Sequence, residues 1–302
     1  MTAPRFVGPE VEPRLDWIAL TEALLAGHRL PRAETRDTFL YRGPDTLLSR
    51  AAWIDGLGAL VKTATVFPGN PDRGLPAVGG GVSLFSDRDG TIEALLDFAL
   101  VTRWKTAGDS LLGARLLARP DSRRILVVGA GAVAASLVSA YRAAFPDADV
   151  AVWARRPEKA AAFAEIHGTA VASDLEAAIA EADIVTCATM ATEPVIRGAW
   201  LRPGQHLDLI GAYRPDMREA DDEALRRADI YVDSRATTLD HIGELKDPLA
   251  REVIAPGDVL GDLYDGAEVV ARRSDEAITL WKNGGGAHLD LMVARHILER
   301  AG

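Results

Sequence analysis

The chain has 302 residues, which is enough for two domains, and its composition is ordinary, with 48% hydrophobic and 26% charged residues. The formal net charge of −10 argues against a nucleic-acid partner, because no block rich in lysine and arginine offsets the acidic side chains. A single cysteine, Cys187, excludes a disulfide framework, and no run approaches the ~18 apolar residues of a membrane span. The N-terminus lacks a signal-peptide core, so we expect a soluble, cytoplasmic protein without a membrane partner.

The first third of the chain is predicted to form a mixed α+β unit. An amphipathic helix is predicted over residues 11–28, followed by an arginine-rich polar stretch over residues 29–42. Residues 58–67 form an apolar, β-like run that is interrupted by Lys62. This lysine is either the solvent-facing residue of a half-buried strand or a functional group. A β-hairpin with its turn at Ser86–Gly90 comes next, so most strands of this unit should be antiparallel.

After a predicted helix over residues 100–117, the polar segment 119–124 marks a domain boundary, and strands then alternate with helices. Strands are predicted at residues 125–128, 150–153, 183–188, 206–210, 229–233 and 277–281, and helices at residues 157–166, 174–182, 218–228 and 287–300. This alternation is typical of a doubly wound parallel sheet. We therefore predict an α/β protein with a Rossmann-type domain and a second, α+β domain.

The clearest motif is the glycine-rich turn that follows the first strand of the predicted Rossmann domain. The apolar run Ile125–Val128 leads directly into Gly129-x-Gly131-x-x-Ala134, after which the apolar pattern becomes helical. Gly129 permits a tight turn, Gly131 lets a pyrophosphate approach the backbone, and Ala134 allows close packing of helix on strand. Since the strand and the helix are both present around the motif, it predicts a bound dinucleotide.

The end of the second strand bears on which nicotinamide cofactor binds. NAD-specific sites place an Asp or Glu there, where it accepts hydrogen bonds from the ribose 2′-OH. This strand instead ends in Trp153-Ala154-Arg155-Arg156, and Asp149 lies at its opposite end. Arg155 is able to bind a 2′-phosphate by charge-assisted hydrogen bonds, so we expect NADPH, with NADH as the alternative.

Several segments together resemble the ornithine cyclodeaminase/μ-crystallin family over about residues 45–300. The segments are Val61–Asn70, Thr102–Ala107, the turn at Gly129–Ala134, Asp208–Pro215, His241–Leu245 and Ile278–Gly286. The resemblance implies a homodimer in which residues 1–118 and the C-terminal helix, residues 285–302, form a substrate-binding and dimerisation domain. Residues 119–284 then form the NAD(P)-binding Rossmann domain, and the active site lies in the cleft between the two.

The resemblance also implies roles for individual residues. Lys62 matches the lysine that binds the substrate carboxylate, and its ammonium is also able to polarise or protonate an imine nitrogen nearby. Lys105 stands where many members carry an arginine near the cofactor phosphates or the substrate. Arg50 replaces the usual Met-Pro turn and is either a substrate-binding charge or a surface arginine. Cofactor contacts are implied at Lys105, Gly129, Gly131, Ala132, Val133, Thr189, Met190, Gly211, Asn283 and Gly284.

Tyr213 is the informative departure from the family pattern. Ornithine cyclodeaminases carry an aspartate at this position, which they need for ring closure and loss of ammonia, whereas this chain has Gly211-Ala-Tyr213-Arg-Pro215. A phenol, with a reference pKa of about 10, cannot replace that carboxylate at neutral pH. Cyclodeamination is therefore not expected. Tyr213 remains a candidate catalytic residue that donates a hydrogen bond, or else it only packs.

For several other polar residues the sequence supports only limited predictions. His288 is expected to bind substrate, while Asp290 either faces the cleft or interacts with the dipole of the last helix. Glu244 is expected to be structural and hydrogen-bonded to the chain nearby. Because His206, Asp208 and His241 show no recognisable ligand spacing, we expect no catalytic metal.

The pattern around Tyr213 is similar to that of the family's imino-acid reductases. It implies NAD(P)H-dependent reduction of a cyclic imino acid, Δ1-pyrroline-2-carboxylate to L-proline, with the six-membered Δ1-piperideine-2-carboxylate as a further substrate. Two alternatives stay open. One is reductive amination of a 2-oxo acid or reduction of an acyclic imine, as in alanine dehydrogenases and iminosuccinate reductase. The other is a non-catalytic NADPH-binding protein similar to μ-crystallin.

Overall fold

The computed structural model describes residues 3–302, which form two compact units. One unit comprises the chain up to Lys105 together with Gly286–Gly302, and the other comprises Thr106–Gly285. The division falls inside one long helix, and the predicted boundary at residues 118/119 lies just after the C-terminal end of that helix.

The elements are numbered in chain order. The strands are β1 (Arg5–Val7), β2 (Glu34–Arg42), β3 (Asp45–Ile54), β4 (Gly58–Val66), β5 (Val78–Phe85), β6 (Ile92–Asp97), β7 (Arg124–Val128), β8 (Asp149–Trp153), β9 (Ala170–Val171), β10 (Ile184–Cys187), β11 (His206–Leu209), β12 (Ala228–Val232), β13 (Val259–Asp262) and β14 (Ile278–Lys282). The α-helices are α1 (Trp17–His28), α2 (Phe98–Leu117), α3 (Ala132–Ala144), α4 (Pro157–His167), α5 (Leu175–Glu181), α6 (Asp222–Arg227), α7 (Arg235–Thr238), α8 (Gly243–Ala250) and α9 (Ala287–Arg300).

The first unit is built on a six-stranded sheet in the order β1-β6-β5-β4-β3-β2. β1 pairs with β6 in parallel, and the other neighbours are antiparallel, as predicted for this part of the chain. α9 packs against β2–β5 and against α1, where Gly27 leaves room for Met292. β2 is an edge strand whose nine residues are all exposed.

Several segments of the first unit differ from the secondary structure predicted from the sequence. The predicted helix over residues 11–28 is correct from Trp17 to His28, where Asp16 caps it by accepting a hydrogen bond from the Ala19 amide at 2.7 Å. Residues Pro9–Arg14 instead form a 3₁₀ segment, because Pro13 lacks the N–H that an α-helix would need there. Strands β1, β2 and β3 were not predicted.

The second unit is built on an eight-stranded parallel sheet in the order β13-β12-β14-β11-β10-β7-β8-β9. From β7 the chain moves to β8 on one side and later to β10 on the other, so the direction of winding reverses between β7 and β10. In open α/β sheets a ligand binds outside the carboxyl ends of the strands at such a switch point. The predicted α/β, doubly wound fold is confirmed.

The six strands predicted for the Rossmann-type domain correspond to β7, β8, β10, β11, β12 and β14. The helix predicted over residues 218–228 is shorter, because Asp221 caps α6 by accepting a hydrogen bond from the Ala224 amide at 2.9 Å. β9, β13, α7 and α8 were not predicted.

Candidate active site

The residues that follow the parallel strands form what we call the carboxyl edge: Gly129, Arg155, Thr189, Gly211 and Asn283, with their immediate successors. At the first of these positions, Gly129 has a φ of +120°, and a Cβ added there would lie 2.6 Å from the carbonyl oxygen of Ala188. Glycine is therefore required by both backbone conformation and packing. A Cβ on Gly131, by contrast, would meet nothing within 4 Å.

Helix α3 begins at this turn. Its N-cap is Gly131, which offers no side-chain hydrogen bond to the first turn. Ala132 and Val133 are exposed while Ala134 is buried, so the first-turn amides lie at an open surface and the small side chain packs inward. The open space at Gly131 and the uncapped helix start fit the pyrophosphate of a dinucleotide.

Three further residues that the sequence predicts as cofactor contacts lie on two loops of this edge. Arg155 is exposed two residues beyond the end of β8. Thr189 and Met190 follow β10, and Met190 is 71% exposed. Gly131 follows β7, Arg155 follows β8, and Thr189 and Met190 follow β10. The strands β7 and β10 flank the switch point, and β8 lies next to β7.

Gly211 and Tyr213 follow β11, which pairs with β10. Tyr213 is 57% exposed, and the Arg214 guanidinium lies 5.7 Å from its ring centroid. Gly211 packs directly on the neighbouring loop, since a Cβ added to it would lie 1.9 Å from the carbonyl oxygen of Thr189.

The side chain of Asn283 is held in one orientation. Its Nδ2 donates to the carbonyl oxygen of Thr106 at 3.0 Å and to Ser110 Oγ at 3.1 Å, and Ser110 Oγ itself donates to Asp208. Because a carbonyl and an already donating hydroxyl must both accept from Asn283, its amide nitrogen is committed and its Oδ1 is the atom left to accept. Next to it, the Gly284 and Gly285 amides donate to Asp233.

Buried carboxyl groups surround Lys282 beneath this edge. The ammonium of Lys282 is fully buried and donates to the carbonyl oxygens of Leu209 and Asn283. Burial raises the pKa of Asp208 to about 6, against hydrogen bonds from Thr186, Ser110 and Tyr141 and the charge of Lys282. Burial likewise raises the pKa of Asp233 to about 6, against its backbone hydrogen bonds and the same lysine.

In the first unit, Lys62 lies on the buried face of β4, together with Leu60 and Ala64. The interpretation of Lys62 as a solvent-facing residue is therefore wrong. Its ammonium donates to Asp290 Oδ1 at 2.8 Å and lies 4.8 Å from the centroid of the Phe98 ring. Burial lowers the pKa of Lys62, and the nearby charges of Lys105 and Arg50 lower it further against the attraction of Asp290.

Lys62 belongs to a group of three cations, Arg50, Lys62 and Lys105, which we call the cation cluster. Arg50 is the cross-strand neighbour of Lys62 and forms an ion pair with Asp37 at 2.6 Å. Lys105 is 9% exposed, and its ammonium makes no hydrogen bond to any residue between 3 and 302. Burial alone would raise the pKa of Asp290, but the cluster outweighs burial and lowers it, so this carboxylate is ionised.

The chemistry of this cluster suits a carboxylate ligand. Three cations face two carboxylates, Asp37 and Asp290, and Lys105 contributes a donor that the described chain does not use. The second oxygen of Asp290 is also buried and accepts no hydrogen bond from residues 3–302. The site therefore offers both an unused cation and an unused acceptor beside Lys62.

His288 lies in the same unit, on the first turn of α9. It is buried, its ring meets that of His28 edge to face at 5.5 Å, and burial lowers its pKa well below the usual range. A neutral imidazole next to the cation cluster is able to donate or accept a hydrogen bond without adding charge. Asp290, in the same first turn, pairs with Lys62, which is a more specific role than an interaction with the helix dipole.

Sequence reasoning missed some polar residues near the carboxyl edge. Glu219 was not singled out, although it is fully buried and bonded to the loops after β10 and β11. Glu244, expected to be structural, accepts hydrogen bonds from the Glu219 and Ala220 amides, which confirms that expectation. Cys187, in the strand predicted at residues 183–188, is buried.

Between residues 3 and 302 no three His, Cys, Asp or Glu side chains are grouped in a way that would hold a metal ion. Over the same residues, no helix has the length and apolar character that crossing a membrane requires.

Comparison with known proteins gives consistent matches. The family model described as "Ornithine cyclodeaminase/mu-crystallin family" matches residues 55–302. A Delta(1)-pyrroline-2-carboxylate reductase of Paracoccus denitrificans is 55% identical over 305 residues, which cover 98% of this chain and 96% of the relative. The structure of Thermococcus litoralis Delta(1)-pyrroline-2-carboxylate reductase in complex with NADH and L-proline has a TM-score of 0.88 at 25% identity, covering 98% of this chain and 97% of that one. An archaeal alanine dehydrogenase dimer with bound NAD has a TM-score of 0.87 at 28% identity, covering 99% and 96%.

Proposed function

We propose that this chain, which belongs to the ornithine cyclodeaminase/mu-crystallin family, is an NAD(P)H-dependent reductase of cyclic imino acids. The substrate we propose is Δ1-pyrroline-2-carboxylate, reduced to L-proline, with Δ1-piperideine-2-carboxylate as a second substrate. The observation that carries the proposal is the buried cation cluster around Lys62, because it offers a carboxylate-binding charge next to an ionised acceptor. The relative that is 55% identical bears the name of this reaction, and the Thermococcus structure holds NADH with L-proline.

The residues of the carboxyl edge that fit a nicotinamide dinucleotide are the Gly129–Val133 turn, the Thr189–Met190 and Gly211 loops, and Asn283 with Gly284. When bound, such a cofactor supplies the hydride that reduces an imine carbon. In the proposed site Lys62 binds the substrate carboxylate, with Arg50, Lys105 and His288 as further substrate-binding groups. The imine nitrogen must gain one proton as its carbon gains the hydride, and Lys62, with its lowered pKa, is suited to donate it.

The finer cofactor preference that we propose is for NADPH. Arg155 is exposed beyond the end of β8, where a carboxylate would favour NAD, and its guanidinium suits the geometry of a 2′-phosphate. We expect Arg155→Ala to raise the KM for NADPH several-fold and to leave the KM for NADH within about twofold, since only the phosphate contact is lost. An equal rise for both cofactors would contradict this role.

We also propose that the protein acts as a homodimer that pairs through the outer strands of the first unit. Large apolar side chains are exposed on β2 and β3: Phe39, Leu40, Tyr41, Leu47 and Trp53. Such a patch on an edge strand of a soluble protein calls for a covering surface. The solved alanine dehydrogenase relative is a dimer.

A second candidate function is reductive amination, which is favoured by the likeness to that alanine dehydrogenase. Cyclodeamination is not proposed, because Tyr213 cannot provide an anionic carboxylate at neutral pH. Tyr213 itself is exposed on the edge, where we propose that its hydroxyl donates a hydrogen bond to the substrate.

The decisive experiment follows the oxidation of NADPH and NADH at 340 nm with Δ1-pyrroline-2-carboxylate and without ammonia, for the wild type and for Lys62→Ala. We expect turnover in the wild type and a loss of about 100-fold or more in the variant, because a charge-assisted contact to the substrate is removed. Turnover that requires a 2-oxo acid plus ammonia would replace the proposal with reductive amination. Tight binding of NADPH without turnover of either substrate would favour a binding protein.

A further inference from the structure

The carboxyl edge contains a fully buried carboxylate, Glu219, whose hydrogen bonds join two loops. One oxygen, Oε1, accepts from the Thr189 amide at 2.7 Å and from Thr189 Oγ1 at 2.8 Å. The other, Oε2, accepts from the amides of Gly211 at 2.6 Å and Ala212 at 3.2 Å. A single side chain therefore binds the loop after β10 to the loop after β11.

The backbone makes this arrangement exacting. Gly211 packs so close to the Thr189 carbonyl oxygen that any side chain on it would collide with the neighbouring loop. Three backbone N–H groups point inward at this contact and need an acceptor, because a buried N–H without one costs free energy comparable to a lost hydrogen bond. Only an acceptor with two oxygens, each able to accept more than one bond, satisfies all four donors at once.

A second buried carboxyl group holds Glu219 in place. Glu244, on α8, accepts hydrogen bonds from the Glu219 amide at 2.7 Å and the Ala220 amide at 3.0 Å. Its own position is fixed by its helix, so the backbone on both sides of the Glu219 side chain is anchored. The order of support thus runs from Glu244 to Glu219 and then to the two loops.

The inward N–H groups determine what the loops present outward. Since Glu219 accepts from the amides of Thr189, Gly211 and Ala212, these three donors are not available to an anion. The Met190 side chain beside them is 71% exposed. A phosphate is therefore better served by the first turn of α3, whose amides lie at an open surface of an uncapped helix start.

We propose that Glu219 is a positioning residue that shapes the edge formed by the loops after β10 and β11 to accept the nicotinamide-ribose half of the cofactor, separately from its adenosine half. The inference rests on the proposed function, because it assigns that half to this side of the switch point. The adenosine half belongs to the β7–β8 side, where the second strand carries the ribose-binding position. Glu219 touches neither half and acts through the two loops.

The test compares two ligands in Glu219→Gln. We measure the dissociation constants of the whole cofactor, NADPH or NADH by its fluorescence, and of the adenosine half alone, 2′,5′-ADP or ADP by calorimetry. An amide in place of the carboxylate turns one acceptor into a donor that faces N–H groups. We expect the dissociation constant of the whole cofactor to rise about tenfold or more, and that of the half-cofactor to stay within about twofold.

The matched control is Asp221→Asn. Asp221 is a nearby carboxylate that accepts hydrogen bonds from two backbone amides, those of Gly198 and Ala224, and its side chain makes no hydrogen bond to Thr189, Gly211 or Ala212. We expect it to lower the melting temperature while leaving both dissociation constants within about twofold of wild type. This separates a general loss of stability from a loss of positioning.

Equal weakening of both ligands in Glu219→Gln, or no weakening of either, would overturn the inference and leave Glu219 as a purely structural residue. If Glu219→Gln does not fold, Gly211→Ala forces the loops apart with Glu219 intact, and the same selective loss is expected. If the wild type binds neither NADPH nor NADH, the proposed function itself fails, whatever the variants do.

Discussion

Two sets of charged side chains, one in each unit of this protein, are compensated in different ways. In the first unit, side chains pair with side chains: the buried Lys62 with Asp290, and the partly exposed Arg50 with Asp37. In the second unit, the buried carboxyl groups of Glu219, Glu244 and Asp233 accept hydrogen bonds mainly from backbone amides.

The difference indicates what each arrangement is suited to do. Pairing between side chains leaves the first unit with three cations against two carboxylates, an excess of one positive charge that suits an anionic ligand. Pairing with backbone amides fixes the shape of loops and uses up their donors, so it defines a surface and does not attract a charged ligand. The proposed function therefore assigns recognition to the charge in the first unit and loop architecture to the charge in the second.

The largest effect on stability and activity is expected when the charge of Lys62 is removed. Lys62→Met leaves Asp290 buried and ionised without a partner, which should cost about 3–5 kcal/mol of unfolding free energy. Combining it with Asp290→Leu removes both charges, so stability should return to within about 1–2 kcal/mol of wild type. Imine reduction should stay at least about 100-fold down in both variants, because the carboxylate-binding charge is absent.

Denaturant unfolding and steady-state kinetics on the two variants and the wild type check this prediction. Asp290→Leu alone is the control for the opposite imbalance, an unpaired buried lysine. Activity recovered together with stability in the double variant would mean that Lys62 serves the fold and does not bind substrate.

A second prediction concerns pH and the backbone-bonded carboxyl groups. Burial and the neighbouring Glu219 raise the pKa of Glu244 to about 7 from an ordinary value of 4.5. Between these values the folded state binds more protons than the unfolded state, so the free energy of unfolding falls as pH rises from about 4.5 to about 7. At about 1.4 kcal/mol per pKa unit, this contribution is on the order of 3 kcal/mol.

The variant Glu244→Gln isolates the contribution of Glu244 to the free energy of unfolding. Asp208 and Asp233, whose pKa values are raised into the same pH range, are present in both proteins, so their contributions cancel when the two stabilities are subtracted. We expect the stability of the wild type, measured by urea unfolding at several pH values, to decline relative to the variant as the pH rises through this window. Parallel curves for the two proteins would show that Glu244 does not titrate there.

Most of the second unit could be predicted from the sequence. Its central strands are buried on both faces, so they appear as short, continuous apolar runs, and the glycine turn follows one of them. The exposed strand β2 escaped prediction because none of its residues is buried, and its sequence therefore lacks an alternating pattern. Strand β13 is only four residues long and includes Gly261 and Asp262.

The site was less predictable because its contacts join distant positions. The run around Lys62 has apolar residues at both Leu60 and Val61, so alternation does not tell which face of β4 is buried. The partner of Lys62, Asp290, is 228 positions away. The contacts of Glu219 are with backbone amides, which every residue but proline carries, and for that reason no sequence motif marks them.

The smallest effects are expected at the glycine turn, where packing and ligand approach are separable. Gly129→Ala places a side chain at a φ of +120° and 2.6 Å from the Ala188 oxygen, so it should cost about 1–3 kcal/mol of stability. Gly131→Ala meets no protein atom within 4 Å and has an ordinary φ of −103°, so its melting temperature should stay near that of wild type. In the proposed site its methyl group would nevertheless stand where the pyrophosphate approaches, and the dissociation constant of the cofactor should rise about tenfold. Thermal melts and cofactor titrations on this pair test the assignment directly, because a Gly131→Ala protein that binds NADPH and NADH as tightly as wild type would exclude the turn as the phosphate site.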